Sequence, residues 1–120
     1  MEIITHNLGD TKIAEIVADE VVISSVEDGL TLLGNVYYQG YDAIILHAKD
    51  ISPVFFDLKT GVAGEILQKF SNYSIRLALA GDFSAYASRS FDDFVRESNK
   101  VRHINFVATT EEALVILSSK

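Results

Sequence analysis

Two stretches of the chain are apolar at nearly every position, Ala43-Ile44-Ile45-Leu46-His47-Ala48 and Ile75-Arg76-Leu77-Ala78-Leu79-Ala80-Gly81. Short unalternating runs of this kind mark strands covered on both faces, as in a parallel sheet. Elsewhere the period changes. Glu2-Ile3-Ile4-Thr5-His6 and Thr11-Lys12-Ile13-Ala14-Glu15-Ile16-Val17 alternate on either side of Asn7-Leu8-Gly9-Asp10. That alternation predicts an antiparallel hairpin at one edge of the sheet.

Helical spacing fills the intervals. Ser24 and Glu27 fit a capping box, and Val26, Leu30, Leu33 and Tyr37 then form a stripe, predicted to face the core, that stops at Gly40. Ser52-Pro53 is a good helix start, with proline at the first position. From there either one helix runs to Tyr73, or a short turn precedes a main helix beginning near Asp57 to Thr60. The second is favoured, because Gly61 and Gly64 each cost about 1 kcal/mol against alanine inside a long helix. Leu58, Val62, Ile66, Leu67 and Phe70 give its apolar face. After Gly81, turn and cap residues lead to a helix over Ser90 to Asn99, marked by Phe91, Phe94, Val95 and Ser98.

Arg102 to Val107 reads as a last strand whose mixed polarity suits an edge. Thr109 and Glu112 make another capping box, before Ala113, Leu114 and Leu117. The order β-β-α-β-α-β-α-β-α predicts an α/β fold over residues 1–120. In it an N-terminal antiparallel hairpin is followed by parallel strands in one mixed sheet, with about four helices and right-handed crossovers.

With 120 residues, 48% of them hydrophobic, the chain holds one ordinary core. The formal charge of -7, with 10 scattered Lys and Arg, excludes a duplex nucleic-acid binder. No cysteine is present, which removes thiolate catalysis and disulfides and fits a reducing compartment. The first residues lack the pattern of a signal peptide, and no apolar run approaches the roughly 20 residues of a membrane span. A soluble cytoplasmic protein is expected, with no membrane partner.

In an open sheet of this kind, ligands and partners use the crevice at the carboxyl ends of the parallel strands. The loops His47 to Thr60, Gly81 to Ser90 and Ala108 to Thr110 meet there. They bring His47, Lys49, Asp50, Asp57, Lys59, Thr60, Asp82, Ser84, Ser88, Arg89 and Ser90. Thr60, Ser88 and Ser90 read first as helix caps, and Asp57 and Asp82 as turn or first-turn acids. Lys59 and Arg89 stand near helix starts, where the dipole disfavours a cation, so their placement hints at an anion or a carboxylate partner. Gly61-Val62-Ala63-Gly64 allows a phosphate to approach the backbone or, more simply, two helices to pack closely.

His6, His47 and His103 stand on separate strands without ligand spacing, so no metal is assigned. Ser84 or Ser88 with His47 and Asp57 lacks an elbow motif. No catalytic residue and no cofactor follows. Phe55-Phe56 and Tyr37-Tyr38 are expected at core and rim, as interface anchors where exposed.

From Ala43 to Leu117 the chain resembles a STAS-type domain, the family of bacterial anti-sigma factor antagonists and transporter regulatory tails. The matching segments are Phe55-Phe56-Asp57-Leu58-Lys59-Thr60-Gly61, Ile75 to Gly81, and Thr109-Thr110-Glu111-Glu112-Ala113-Leu114. The run from Phe56 to Phe70, with Gly81-Asp82-Phe83-Ser84 and Ser88-Arg89-Ser90, more closely resembles an uncharacterised bacterial group. It is number 4180 among the domain-of-unknown-function families, and it implies no established activity.

The STAS resemblance implies a phosphoacceptor hydroxyl just before the glycine, the place of Thr60 before Gly61. The first expectation is therefore a non-catalytic regulatory or protein-interaction domain, switched at Thr60. Its surface is made by the helices starting near Thr60 and Ser90, with Asp57, Lys59, Gly61, Asp82, Ser84, Ser88 and Arg89. The alternative is a small-molecule or phosphate-binding protein, or an enzyme, using the same crevice. A deep pocket with Lys59 and Arg89 converging favours the alternative, and exposed aromatics on a shallow face favour the first. A protein partner is implied, and self-association is compatible with either.

Overall fold

In the computed structural model, which describes residues 1–86, 88–101 and 104–118, the alternating N-terminal segments pair as a hairpin. Strand β1 (Glu2–Leu8) runs antiparallel to β2 (Thr11–Val17) across the turn Gly9-Asp10. Gly9 takes the positive φ of 62° that so short a turn demands. The two apolar runs become β3 (Ala43–His47) and β4 (Arg76–Ala80), paired in parallel with Ile44 beside Leu77 and Leu46 beside Leu79. Strand β5 (Ile104–Val107) adds on the far side, giving the order β1-β2-β3-β4-β5. The expected beginning of this strand, Arg102 and His103, lies outside the described residues.

Because each parallel strand lies beside its sequence neighbour, crossovers of one hand place their helices on one face. Helices α1 (Val26–Tyr38), α3 (Val62–Asn72) and α4 (Arg89–Val101) cover Ala14, Ile16, Ile44, Leu46, Leu77, Leu79, Ile104 and Phe106. The opposite face, with Ile13, Ala43, Ile45, Ala78, Ala80 and Val107, packs against α5 (Thr110–Ser118) through Ala113 and Leu117. Alanines at three of those strand positions let one short helix lie close. Arg76 fixes its end, donating from its guanidinium to the carbonyls of Leu117 at 3.2 Å and Ile116 at 3.0 Å. A cation there also suits the negative end of the helix.

Three expectations are corrected at the level of single residues. The first helix is capped by Ser25 rather than Ser24, with the Asp28 amide donating to Ser25 Oγ at 3.2 Å. Its acid partner is Asp28 rather than Glu27, since Asp28 Oδ2 accepts from the Ser24 amide at 3.0 Å and the Ser24 hydroxyl at 2.9 Å. Its buried stripe is Gly29, Leu32, Leu33 and Val36, whereas Leu30 and Tyr37 face outward. The cause is steric: Gly29 abuts Ile66 so closely that a Cβ would sit 2.7 Å from that side chain. The helix turns its glycine toward α3, which leaves Leu30 and Tyr37 outside the buried stripe.

Two further boundaries move slightly. A single α turn, α2 (Pro53–Phe56), and a 3₁₀ turn (Leu58–Thr60) precede α3, which starts at Val62 after Gly61 takes a φ of 77°. Helix α4 starts at Arg89, capped by Ser88, whose Oγ accepts from the Phe91 amide at 3.1 Å.

Candidate functional site

Parallel strands β3 and β4 deliver their exit loops side by side, and aromatic rings lock those loops together. Phe56, at the end of α2, stacks on Tyr86 at 4.3 Å between centroids and 20° between planes. It also meets Phe83 at 5.7 Å and Phe91 at 6.0 Å, and Phe91 in turn meets Phe106 of β5 at 5.9 Å. Asp57 to Thr60, just after Phe56, and Ser88 to Ser90, just before Phe91, are therefore carried by one packed cluster.

Several of the polar groups on this rim are held by nearby backbone. Asp57 Oδ1 accepts from the Lys59 amide at 3.2 Å, and Asp82 Oδ1 accepts from the Ser84 amide at 2.9 Å. Hydrogen bonds from the Ser84 backbone and hydroxyl hold the Asp82 carboxyl below its ordinary pKa. Thr60 is exposed, yet its hydroxyl lies 2.9 Å from the Asp57 carbonyl and 3.0 Å from the Val54 carbonyl, and accepts from the Val62 amide at 3.2 Å. It caps α3 in this way. Lys59, Arg89 and Ser90 are exposed.

A hollow of about 400 Å³ opens between the two exit loops, lined by His47, Lys49, Gly81, Asp82, Ala85 and Tyr86 among others. Lys59 and Arg89 are not among its lining residues. Gly81, at φ 148°, lets β4 leave past Ala48, where a Cβ would come within 2.7 Å of the alanine's own Cβ. Beneath the rim, Lys49 Nζ donates to the Ala18 carbonyl at 2.8 Å and to Asp50 Oδ1 at 2.7 Å, tying the ends of β2 and β3 together. Asp50 is buried, and its Oδ2 has no hydrogen-bond partner among the described residues.

The sheet also assembles a cluster that sequence spacing does not show. Glu15, on the face opposite α1, α3 and α4, lies between two histidines from neighbouring strands. His6 Nε2 sits 2.8 Å from Glu15 Oε1, and His47 Nε2 sits 2.8 Å from Oε2. The Glu15 side chain is only 12% exposed. Burial by itself raises the pKa of its carboxyl, but hydrogen bonds and charge from the two imidazoles outweigh that and hold it below the ordinary value.

Each ring donates an N–H to one oxygen, so a single carboxylate staples three strands and orients both histidines. The sequence signal was a lone acid within Ile13-Ala14-Glu15-Ile16-Val17; its partners depend on register. Among the described residues, no group of three His, Cys, Asp or Glu is arranged to hold a metal ion. His103 lies outside those residues.

A second surface lies at the far ends of α1 and α3. There Leu30, Gly34, Tyr37, Tyr38, Lys69 and Tyr73 border a groove of about 250 Å³. Tyr38 is 89% exposed, while Tyr37 and Tyr73 are about half exposed and meet edge to face at 5.1 Å. A Cβ on Gly34 would meet nothing within 4 Å, so the glycine leaves the groove open. Of the two expected aromatic pairs, Phe55-Phe56 is core and Tyr37-Tyr38 is surface.

A family model described as "Domain of unknown function (DUF4180)" matches residues 8–117, and the chain belongs to that family. No curated protein and no solved structure matches it.

Proposed function

We propose that this member of the family is a regulatory module of STAS-like kind, which binds another protein through the outer face of α1 and α3 and is switched at Thr60. The observation that carries the reading is the grouping of Tyr37, Tyr38 and Tyr73 in the open, around Gly34 and Leu30. Tyrosine joins a large apolar area to a hydroxyl at little rotamer cost, so clustered exposed tyrosines suit a binding surface better than a solvated one. The rim supports the same reading. Asp57, Asp82, Ser88 and Thr60 are engaged as turn or cap residues, and Lys59 and Arg89 do not line the rim hollow.

Thr60 lies just before one end of α3 and Tyr73 just after the other. The helix between is about 16 Å long at 1.5 Å per residue. A standard interface of about 800 Å² per partner spans that distance. Phosphate on Thr60 adds about -1.5 to -2 charges, tolerated by the helix N-terminus but opposed to a closely fitted partner. It also replaces the hydroxyl proton shared with the Asp57 and Val54 carbonyls. Lys59 and Gly61 flank Thr60 at this end of α3, whereas Ser84 belongs to the β4 exit loop and Arg89 and Ser90 to the start of α4.

The test is affinity capture from extract of cells that make the protein, using wild type, Tyr38→Ala and Thr60→Glu, each checked for native circular dichroism. One discrete partner retained by wild type and lost by both variants is expected. The same proteins retained by all three would overturn the reading.

One observation favours a second reading, in which the rim hollow takes a small anion. Lys49 and His47 both line it, and His47 connects it to Glu15. Calorimetric titration with inorganic phosphate decides this: binding lost in Lys49→Ala supports it, and no heat with wild type rejects it.

A further inference from the structure

We infer that the open edge of β1 is a self-pairing surface, and that a second copy of this chain joins there, antiparallel about Thr5, to make one continuous sheet. Backbone direction along β2 settles which groups of β1 are free. The Lys12 carbonyl accepts from the Asp42 amide at 2.8 Å, so Lys12 turns its backbone toward β3. Alternation then turns Thr11, Ile13 and Glu15 toward β1, where they face Leu8, His6 and Ile4. Ile3, Thr5 and Asn7 consequently point their N–H and C=O groups outward.

These three residues are spaced symmetrically about Thr5. A two-fold axis through Thr5 sets Ile3 opposite the partner's Asn7 and Thr5 opposite the partner's Thr5, so every outward backbone group is satisfied. The side chains agree with that register. Ile4 and Leu8, both exposed on the Glu15 face, come to lie opposite the partner's His6 and the partner's Glu2. No like charges meet, and a threonine pair at the centre is a favourable cross-strand contact.

The two edges of the sheet are treated differently. At β5, the Phe106 amide donates to Asn99 Oδ1 at 2.7 Å, and Asn99 Nδ2 reaches the Phe106 carbonyl at 3.5 Å. The asparagine side chain stands in for a neighbouring strand and closes that edge. Strand β1 carries no proline, lysine or bulge, the usual devices against edge pairing. Its seven residues are also longer than a protein ordinarily leaves open and partly apolar. Since the axis stands perpendicular to the sheet, the α1–α3 faces of both copies look the same way. The assembly presents two tyrosine grooves on one side.

Sedimentation equilibrium tests this independently of any partner for α1 and α3. Wild type is expected at twice the chain mass, and Thr5→Pro at the chain mass, because proline removes an N–H at the centre of the pairing while costing no bond to β2. Thr5→Pro also loses the 2.6 Å bond between Thr5 Oγ1 and the Tyr41 hydroxyl. Thr5→Val loses that bond but keeps the amide, and is expected to remain dimeric. Ile4→Lys is expected to weaken association at least tenfold, and it decides the matter should Thr5→Pro fail to fold. A wild type that stays at the chain mass, or a dimer equally tight in folded Thr5→Pro and Ile4→Lys, would overturn the inference.

Discussion

Replacing Glu15 by glutamine probes the cluster of His6, Glu15 and His47 on the α5 side of the sheet. The substitution keeps the shape of the side chain and removes its charge. In the native protein both oxygens accept from imidazole nitrogens at 2.8 Å, one from β1 and one from β3. A carboxamide keeps one acceptor and turns an N–H toward the other ring. Hydrogen bonds to a charged group contribute about 1.5–3 kcal/mol each against about 0.5–1.5 for neutral ones. With the rings 25% and 22% exposed, water compensates in part, so the net loss comes to about 1.5–2.5 kcal/mol.

The pH dependence has a definite sign. Glu15 titrates below its ordinary 4.5 in the folded protein, so its contribution is complete above that value and disappears as pH falls through the lowered one. Urea unfolding followed by circular dichroism should therefore show the full difference between wild type and Glu15→Gln near neutral pH and a much smaller one well below pH 4.5. Equal midpoints at neutral pH, or a difference that grows on acidification, would refute the reasoning.

Two further substitutions test local parts of the account. Gly29→Ala gains about 1 kcal/mol of helix propensity but overpacks Ile66, which is fully buried, at a cost of about 1–3 kcal/mol, so calorimetry should show a net lower Tm. Ser88→Ala removes the acceptor for the Phe91 amide at the start of α4 and should cost about 1 kcal/mol in urea unfolding, recovered in large part by Ser88→Asp.

What could be read from the chain alone followed how local its cause was. Strands β3 and β4 were legible because both of their faces are buried, which leaves no alternation to misread. The caps at Ser52, Ser88 and Thr109 were legible because a hydroxyl and the amide it serves lie within one turn. The stripe on α1 was misassigned by a rotation of the helix, because Gly29 counts as a gap in a hydrophobic pattern although it is the point of closest approach to Ile66. The cluster of His6, Glu15 and His47 was invisible for another reason: it exists only through the registers of β1 with β2 and of β2 with β3. The tyrosines were named as anchors conditional on exposure, and tertiary packing alone decides exposure.

The proposed role of the α1–α3 face is tested most directly by photocrosslinking in the cells that make the protein, with a benzophenone amino acid in place of Tyr38. A control carries it in place of Lys100, exposed on α4. The account predicts one discrete adduct of higher mass from position 38, suppressed by Thr60→Glu, and none from position 100. No adduct from position 38, or the same adducts from both positions, would contradict it.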